Sequence, residues 1–401
     1  MKTNLILGRM TFAMAAAALG ITIMKIALPT LAGVLGFSIA EIGLVTGSAA
    51  FAWPVFGLLV GWSLDRFGRV SAFRLGLTFA ATAAAILVVR FNAGDPRVIL
   101  LCIFALFIGL GEVLTETAGQ TILPDLVDKA DLDKGNSWLQ GGKTVAAMLL
   151  APLLLATALD FQPARTFGFA LALMLAAFIA LPRPVRQVES LNTGFRGFFG
   201  GLLILSRERP HRRFTILLTA MTVSWGAWMT LIVPYTLSSD HLGLDARGVG
   251  QVMTALGCGS LIGAVGYQYL KHSLGKRGTL AIDPLASAGF LIVPALGLGL
   301  TPVFASAFLA GVGGATWAIF VSACQQTTIP PVMLGRSVAA YRWIGWTGFF
   351  AGSTLAGVIA DTFGLRLALM LFALPAVAAS VIFYWSNPLS PTEDNSEVGV
   401  I

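Results

Sequence analysis

Long apolar stretches recur along the whole chain, and they restrict its fold more than any other feature. Twelve of them are long enough to cross a bilayer as a helix, which takes about 20 mainly apolar residues. Because a bilayer offers no water, backbone polar groups must pair internally, and separate apolar segments do so only as helices. Charged residues make up 11% of the chain, whereas about 25% is usual for a soluble protein. We therefore predict an all-α membrane protein with twelve transmembrane helices.

The predicted helices form two sets of six, separated by one long break. The first set covers about 10–34, 40–64, 71–90, 97–123, 136–159 and 164–181, and the second about 214–237, 247–270, 278–299, 301–325, 336–359 and 365–385. The break mixes arginines with phenylalanines, a pattern typical of a helix lying on the membrane surface. We predict an N-terminal six-helix bundle (1–181), a cytoplasmic interfacial linker (182–213), a C-terminal six-helix bundle (214–386) and a disordered cytoplasmic tail (387–401).

The two sets of helices also repeat each other. The matching pairs are Pro29 with Pro234, Gly61 with Gly266, Gln120 with Gln326, and Asp160 with Asp361, at separations of 205, 205, 206 and 201 residues. The single change of separation requires a shorter loop between the fourth and fifth helices of the second half. Two six-helix repeats of parallel orientation place a substrate site between the halves near the bilayer midplane, so that rocking alternates access to it.

The distribution of basic residues predicts the orientation. With both termini in the cytoplasm, the inside loops hold 18 of the 26 lysines and arginines, and the outside loops hold only Arg90, Arg97, Arg165, Arg247 and Arg366. An excess of Lys and Arg on cytoplasmic loops is the general rule. It also accounts for the net charge of +7 without a nucleic-acid partner. We expect a multi-pass protein of a bacterial inner membrane, with the lipid bilayer as its surroundings.

The loop between predicted helices 2 and 3 reads GWSLDRFGR, from Gly61 to Arg69. It resembles the Gly-x-x-x-Asp-Arg-x-Gly-Arg signature of the major facilitator superfamily. The resemblance implies the major facilitator fold, with a conformational latch in this loop. In such a latch the acid would accept hydrogen bonds from helix N-termini or basic groups, and the arginines would bind carboxylates or lipid phosphates. The predicted latch residues are Gly61, Asp65, Arg66, Gly68 and Arg69.

A second resemblance lies between Gly111 and Pro152. A Gln four residues before a Pro closes helix 4, at Gln120 and Pro124, and an Asn precedes a Leu-Gln pair at the start of helix 5. This is similar to the branch that contains bacterial macrolide, multidrug and siderophore exporters. It implies a monomeric secondary active transporter that exports a small amphiphilic molecule, such as a drug or a secreted metabolite.

Two other functions stay open at this point. The same scaffold serves importers and facilitators of nutrients, lipids or siderophores. A membrane-embedded enzyme would need a catalytic constellation, and the sequence contains no HExxH, nucleophile elbow or phosphate-binding loop. Its three cysteines and three histidines have no metal-ligand spacing, so we expect no metal and no cofactor.

Four ionisable residues lie deep inside predicted helices of the first half, where an unpaired Arg, Lys or Asp costs about 2.5–3.5 kcal/mol on insertion scales. Lys25 and Glu112 lie near the middle of helices 1 and 4, and Glu116 and Lys143 lie at a similar depth closer to the cytoplasm. We predict the pairs Lys25–Glu112 and Glu116–Lys143. They are static ties between helices, carriers of a coupling proton, or binding groups for a cationic substrate; the sequence leaves all three open.

The predicted substrate cavity combines aromatic and polar residues. Tryptophans most often lie at the membrane interfaces, but three fall well inside helices 7 and 10 and could form an apolar wall for a bulky ligand. Arg342 either binds a substrate anion or extends to the cytoplasmic surface. We predict Asp283 at the interface, paired with Arg277 or water and without a function. The predicted cavity residues are Trp225, Trp228, Trp317, Gln120, Gln326 and Arg342.

Overall fold

The computed structural model describes residues 2–92, 94, 97–122, 138–139, 141–160, 162–181, 202, 205–207, 209–329 and 331–386. This part of the chain is almost entirely helical and contains twelve helices long and apolar enough to cross a membrane, which confirms the predicted fold class. The first six are α1 Lys2–Val34, α2 Ile39–Phe67, α3 Arg69–Asn92, α4 Val98–Thr121, α5 Gly141–Ala158 and α6 Pro163–Ala180. The second six are α7 Arg209–Leu237, α8 Ala246–Val265, α9 Tyr267–Ala295, α10 Leu300–Thr328, α11 Pro331–Phe363 and α12 Leu365–Ser386.

The boundary between α8 and α9 differs from the sequence prediction. We expected a loop over the polar residues 271–277, but α9 begins at Tyr267 and continues through this segment. Gly275, with φ 69° and ψ 171°, interrupts the helical geometry there, so α9 consists of a short helical segment before this glycine and a longer one after it. Glycine accepts this conformation because it has no Cβ. The predicted linker lies mostly outside the described residues, and the predicted tail lies wholly outside them.

Helix α5 is the least regular span. It is π-helical over Val145–Leu150 and Leu155–Leu159, on either side of a short α-helical turn that contains Pro152. Proline has no backbone N–H and interrupts the normal hydrogen-bond ladder, and π-helical turns are a common accommodation of such a break. The helix ends at Asp160, which has φ 52° and is the only described residue other than glycine with a positive φ.

Helix packing repeats from one half of the chain to the other. Within the first six helices, α1 packs against α5 and α6, α2 against α4, and α3 against α4 and α6. Each of these pairs recurs six helices later, as α7 with α11 and α12, α8 with α10, and α9 with α10 and α12. We refer to α1–α6 as the first bundle and to α7–α12 as the second bundle.

The two bundles meet along α1–α7, α2–α11 and α5–α8. Because the number of spans is even, residues 2 and 386 lie on one side, which we call the terminal face. Two close contacts between small residues lie near the opposite face. A Cβ added to Gly43 of α2 would lie 2.9 Å from the Cα of Gly357 of α11, and one added to Gly250 of α8 would lie 2.9 Å from the Cβ of Ala156 of α5. Small residues therefore seal the opposite face in this conformation.

Candidate functional site

A cavity of about 520 Å³ lies between the bundles, on the terminal side of this seal. Its wall is mainly apolar, with five charged side chains set into it. Four belong to helices α1, α4 and α5 of the first bundle, and one, Arg342, belongs to α11 of the second bundle. The charged residues are Lys25, Glu112, Glu116, Lys143 and Arg342, and the aromatic ones are Trp53, Phe73, Trp225, Tyr341, Trp346 and Phe349.

Lys25 and Glu112 form the first ion pair of the cavity. The ammonium of Lys25 donates to both carboxylate oxygens of Glu112, at 2.9 Å to Oε1 and 2.7 Å to Oε2. It also lies 4.9 Å from the ring centroid of Trp346, which stacks at 5.3 Å on Trp53 of the other bundle. The lysine is therefore held by a carboxylate and by an aromatic face together.

Glu116 is the centre of a second charged group, one turn closer to the terminal face. It accepts a hydrogen bond from Lys143 of α5, and both guanidinium nitrogens Nη1 and Nη2 of Arg342 lie 3.4 Å from the same oxygen, Oε1. The exposed fraction of the Glu116 side chain is 12%. In this structure the charge of Arg342 faces Glu116 across the junction of the bundles.

The structure places the three predicted cavity tryptophans differently. Trp225 lines the cavity, and its indole N–H donates to Ser287 of α9 at 2.8 Å. Trp228 instead stacks on Phe290 inside the second bundle, and Trp317 is buried there with its indole N–H on the hydroxyl of Tyr341. Trp225 and Trp228 both contact α9 and lie only about 60° apart around the axis of α7, and of the two only Trp225 also lines the cavity.

The side chains of several other predicted site residues lie outside the described set. This applies to Gln120 and Gln326, and to Gly61, Asp65 and Arg66 of the predicted latch. Gly68 of that loop is described and has φ 84°, so the glycine allows the tight connection between α2 and α3. Arg69 follows as the first residue of α3.

An ion pair joins the bundles at the opposite face. Arg247, at the start of α8, donates through Nη2 to Oδ2 of Asp160 at 2.7 Å and through Nε to Oδ1. This hydrogen-bonded guanidinium holds the pKa of the Asp160 carboxyl below its ordinary value. Both side chains are partly exposed to solvent, so the pair contributes little energy by itself and acts as a weak clasp.

Because of this ion pair, we expect the separation of the two bundles at the opposite face to depend on pH. Because the pKa of Asp160 is lowered, the contribution of the pair is complete above the ordinary aspartate value of about 3.9 and is lost as the pH falls through the lowered pKa. Spin labels at Gln162 and Asp240, both exposed on this face, should keep one separation from pH 7 to pH 5 and spread below about pH 4. Asp160→Asn should show the spread at pH 7. If the variant and the parent show the same distribution of label distances at pH 7, the ion pair does not help to hold this face closed.

A scan against protein-family models matches residues 10–342 to the Major Facilitator Superfamily. The chain belongs to this superfamily. The membership confirms the resemblance seen in the GWSLDRFGR loop, and it means that the protein is a transporter of small molecules and not an enzyme.

Curated relatives in the superfamily include multidrug efflux pumps. The chain is 22% identical over 381 residues to the multidrug efflux pump Tap of Mycolicibacterium fortuitum, a match that covers 90% of each protein. It is 24% identical over 357 residues to Tap of Mycobacterium tuberculosis, covering 84% of this chain and 83% of that one.

Solved structures of the superfamily share the fold over almost the whole chain. A mutant of the nucleoside transporter NupG matches with a TM-score of 0.73 and 14% identity, covering 95% of this chain and 99% of that one. A bacterial homologue of the human lysosomal transporter Spinster, in an inward-facing and unoccupied conformation, matches with a TM-score of 0.72 and 13% identity, covering 97% and 99%. At these identities the likeness establishes the fold alone.

Sequence reasoning missed the stacked indoles of Trp53 and Trp346. Neither tryptophan is among the predicted cavity residues. A signal was present, since Trp346 lies four residues after Arg342 and therefore on the same face of α11. The meeting of the two indoles, in contrast, depends on how the bundles dock.

Proposed function

We propose that this transporter exports small amphiphilic molecules from a bacterial cell in exchange for protons, as a monomer in the inner membrane with both termini in the cytoplasm. The observation that carries the proposal is the composition of the cavity. Its wall is mainly apolar, and its only described acids, Glu112 and Glu116, are each paired with basic residues. In this orientation the terminal face is cytoplasmic, and the cavity lies on the cytoplasmic side of the seal.

Protonation of Glu116 would change how the bundles interact. The ionised carboxylate attracts Lys143 within its own bundle and Arg342 of the other one. A proton on Glu116 removes both attractions and leaves two cations facing each other. Because these groups lie at the junction of the bundles, proton binding alters the balance between conformations, which is the requirement for coupling.

The substrate class follows from the wall and from the relatives. Aromatic and aliphatic side chains without a dense polar network bind amphiphilic molecules through buried area and select weakly among them. The relatives named multidrug efflux pump Tap support the same class and the outward direction. Their identity of 22–24% is the reason why we propose the class and not a particular compound.

Uptake of an anionic nutrient is the second candidate, and one observation favours it. The described cavity wall carries three basic and two acidic side chains. With all of them ionised, it has an excess of one positive charge. Such a site attracts anions, and a proton on either glutamate would strengthen the attraction, as in proton-driven uptake.

Transport in vesicles tests the proposal. Inside-out membrane vesicles with an acidified lumen should accumulate the dye ethidium, and the accumulation should collapse when nigericin dissipates the pH gradient. Vesicles from cells without the protein are the control. Export is contradicted if ethidium and other amphiphilic dyes stay at the control level. Uptake of an organic anion by right-side-out vesicles in acidic medium would then support the second candidate.

A further inference from the structure

Asp283 is a carboxyl group buried in the middle of the second bundle, with no part in the mechanism above. It lies on α9, two turns beyond the kink at Gly275, and 4% of the residue is exposed. Helix α10 packs directly against it, since a Cβ added to Gly313 would lie 2.5 Å from the Cα of Asp283. This position corrects the sequence prediction, which placed Asp283 at the membrane interface, paired with Arg277 or water.

The described basic side chains near this level are engaged elsewhere. Arg277 of α9 donates to the backbone carbonyl of Tyr384 on α12, Arg342 of α11 faces Glu116, and His211 of α7 contacts the hydroxyl of Thr328 on α10. Other titratable groups in this region are the hydroxyl of Tyr341 on α11, which accepts from Trp317 of α10, and the buried thiol of Cys324 on α10. Within the described chain, Asp283 thus forms no ion pair.

A buried carboxylate without a cation is very unfavourable, and the neutral acid avoids most of that cost. In the described structure the Asp283 carboxyl has one side-chain hydrogen-bond partner. The Ser287 hydroxyl, one turn along α9, lies 3.3 Å from Oδ1 of Asp283. The packing around Asp283 therefore accommodates a protonated side chain in this conformation.

Trp225 separates this acid from the cavity. Its indole lines the cavity, and its N–H donates to the oxygen of Ser287 at 2.8 Å, while the hydroxyl of Ser287 is directed at Asp283. Ser287 therefore accepts a hydrogen bond from Trp225 and directs its own hydroxyl at Asp283. A ligand that pushes the indole aside would break this chain and open Ser287 and Asp283 to cavity water.

We propose that Asp283 is a second proton-carrying group of the transport cycle, covered by Trp225 in this conformation and uncovered when a ligand displaces that indole. On uncovering, the proton passes from the carboxyl oxygen to a water molecule of the cavity and leaves a carboxylate; it is taken up again before the indole closes. The proposal rests on proton-coupled transport as proposed above and adds a carrier in the second bundle.

The first test compares Asp283→Asn with Asp361→Asn in proteoliposomes. The asparagine at 283 mimics the neutral acid in shape, so the variant should fold and still exchange ethidium down its gradient. It should lose accumulation driven by a pH gradient. Asp361 is an exposed acid at the far end of α11 and serves as the matched control, which should accumulate ethidium like the parent protein. A parent without proton-driven accumulation contradicts the proposed function; a parent and an Asp283→Asn variant that accumulate equally contradict only this proposal.

A second test needs no variant. Infrared difference spectra of the parent protein, recorded with and without ethidium, should show loss of the carbonyl stretch of a protonated carboxylic acid. Carbon-13 labelling of aspartate carboxyl groups should shift this band, because Asp283 is the only described aspartate deep inside a span, whereas the cavity acids are glutamates. The proposal is overturned if the band does not shift on aspartate labelling, or if no such band appears.

Discussion

Glu116→Gln is expected to reduce proton-driven transport to the level of empty vesicles and to lower the free energy of unfolding by about 3 kcal/mol. The glutamine cannot carry a coupling proton. It also leaves Lys143 and Arg342 close together without their acid. Removing one partner of a largely buried pair is strongly destabilising because the remaining charge loses its compensation. Uptake of ethidium and thermal unfolding in detergent measure the two effects separately.

The double variant Glu116→Gln/Lys143→Gln decides between a static tie and a coupling role. It removes one charge of each sign, so most of the lost stability should return. If Glu116 only ties helices together, transport should return with the stability. If Glu116 carries the proton, the double variant should be stable and still fail to accumulate substrate against a gradient. Recovery of full proton-driven accumulation would therefore contradict the coupling role.

Depth in the membrane was predictable from the sequence, and this is why both cavity pairs were predicted. A helix rises 1.5 Å per residue, so counting from the helix ends places Lys25 level with Glu112, and Glu116 level with Lys143. The structure brings both pairs together. The twelve spans and the duplication followed from the same regular geometry, because apolar length and residue separation do not depend on tertiary contacts.

Rotation about the helix axis was not predictable in the same way. The direction in which Trp228 or Trp317 points depends on which neighbours pack against the helix, and a single sequence does not record this. The contact of Arg342 with Glu116 depends on how the two bundles dock. For Asp283 the start of the span was predicted closely, since the chain breaks at Gly275; the burial of the acid against Gly313 of α10 depends on helix packing and was not predictable.

Gly257→Ala is expected to open the opposite face while leaving each bundle folded. Gly257 of α8 packs so closely on α5 that a Cβ would lie 1.5 Å from the carbonyl oxygen of Met148, an atom of the first bundle. Gly257 and Met148 both line the cavity, so the clash lies between the seal and the cavity; because it is with backbone, we expect it to push α8 and α5 apart there. Overpacking of this kind costs about 1–3 kcal/mol. At 1.36 kcal/mol per tenfold change, the populations should shift about 5- to 150-fold toward a conformation that opens this face.

Gly259→Ala is the matched control, two residues further along the same helix. A Cβ there would lie 1.9 Å from the carbonyl oxygen of Phe308, which belongs to α10 of the same bundle. Because α8 and α10 move together, this clash persists in every conformation, and the variant should lose thermal stability without a change in the distance between labels at Gln162 and Asp240. Gly257→Ala should lengthen that distance and abolish transport at nearly the parent's stability. Should both variants only lower the unfolding temperature, the contact at Gly257 would be ordinary packing and not a closure that opens during transport.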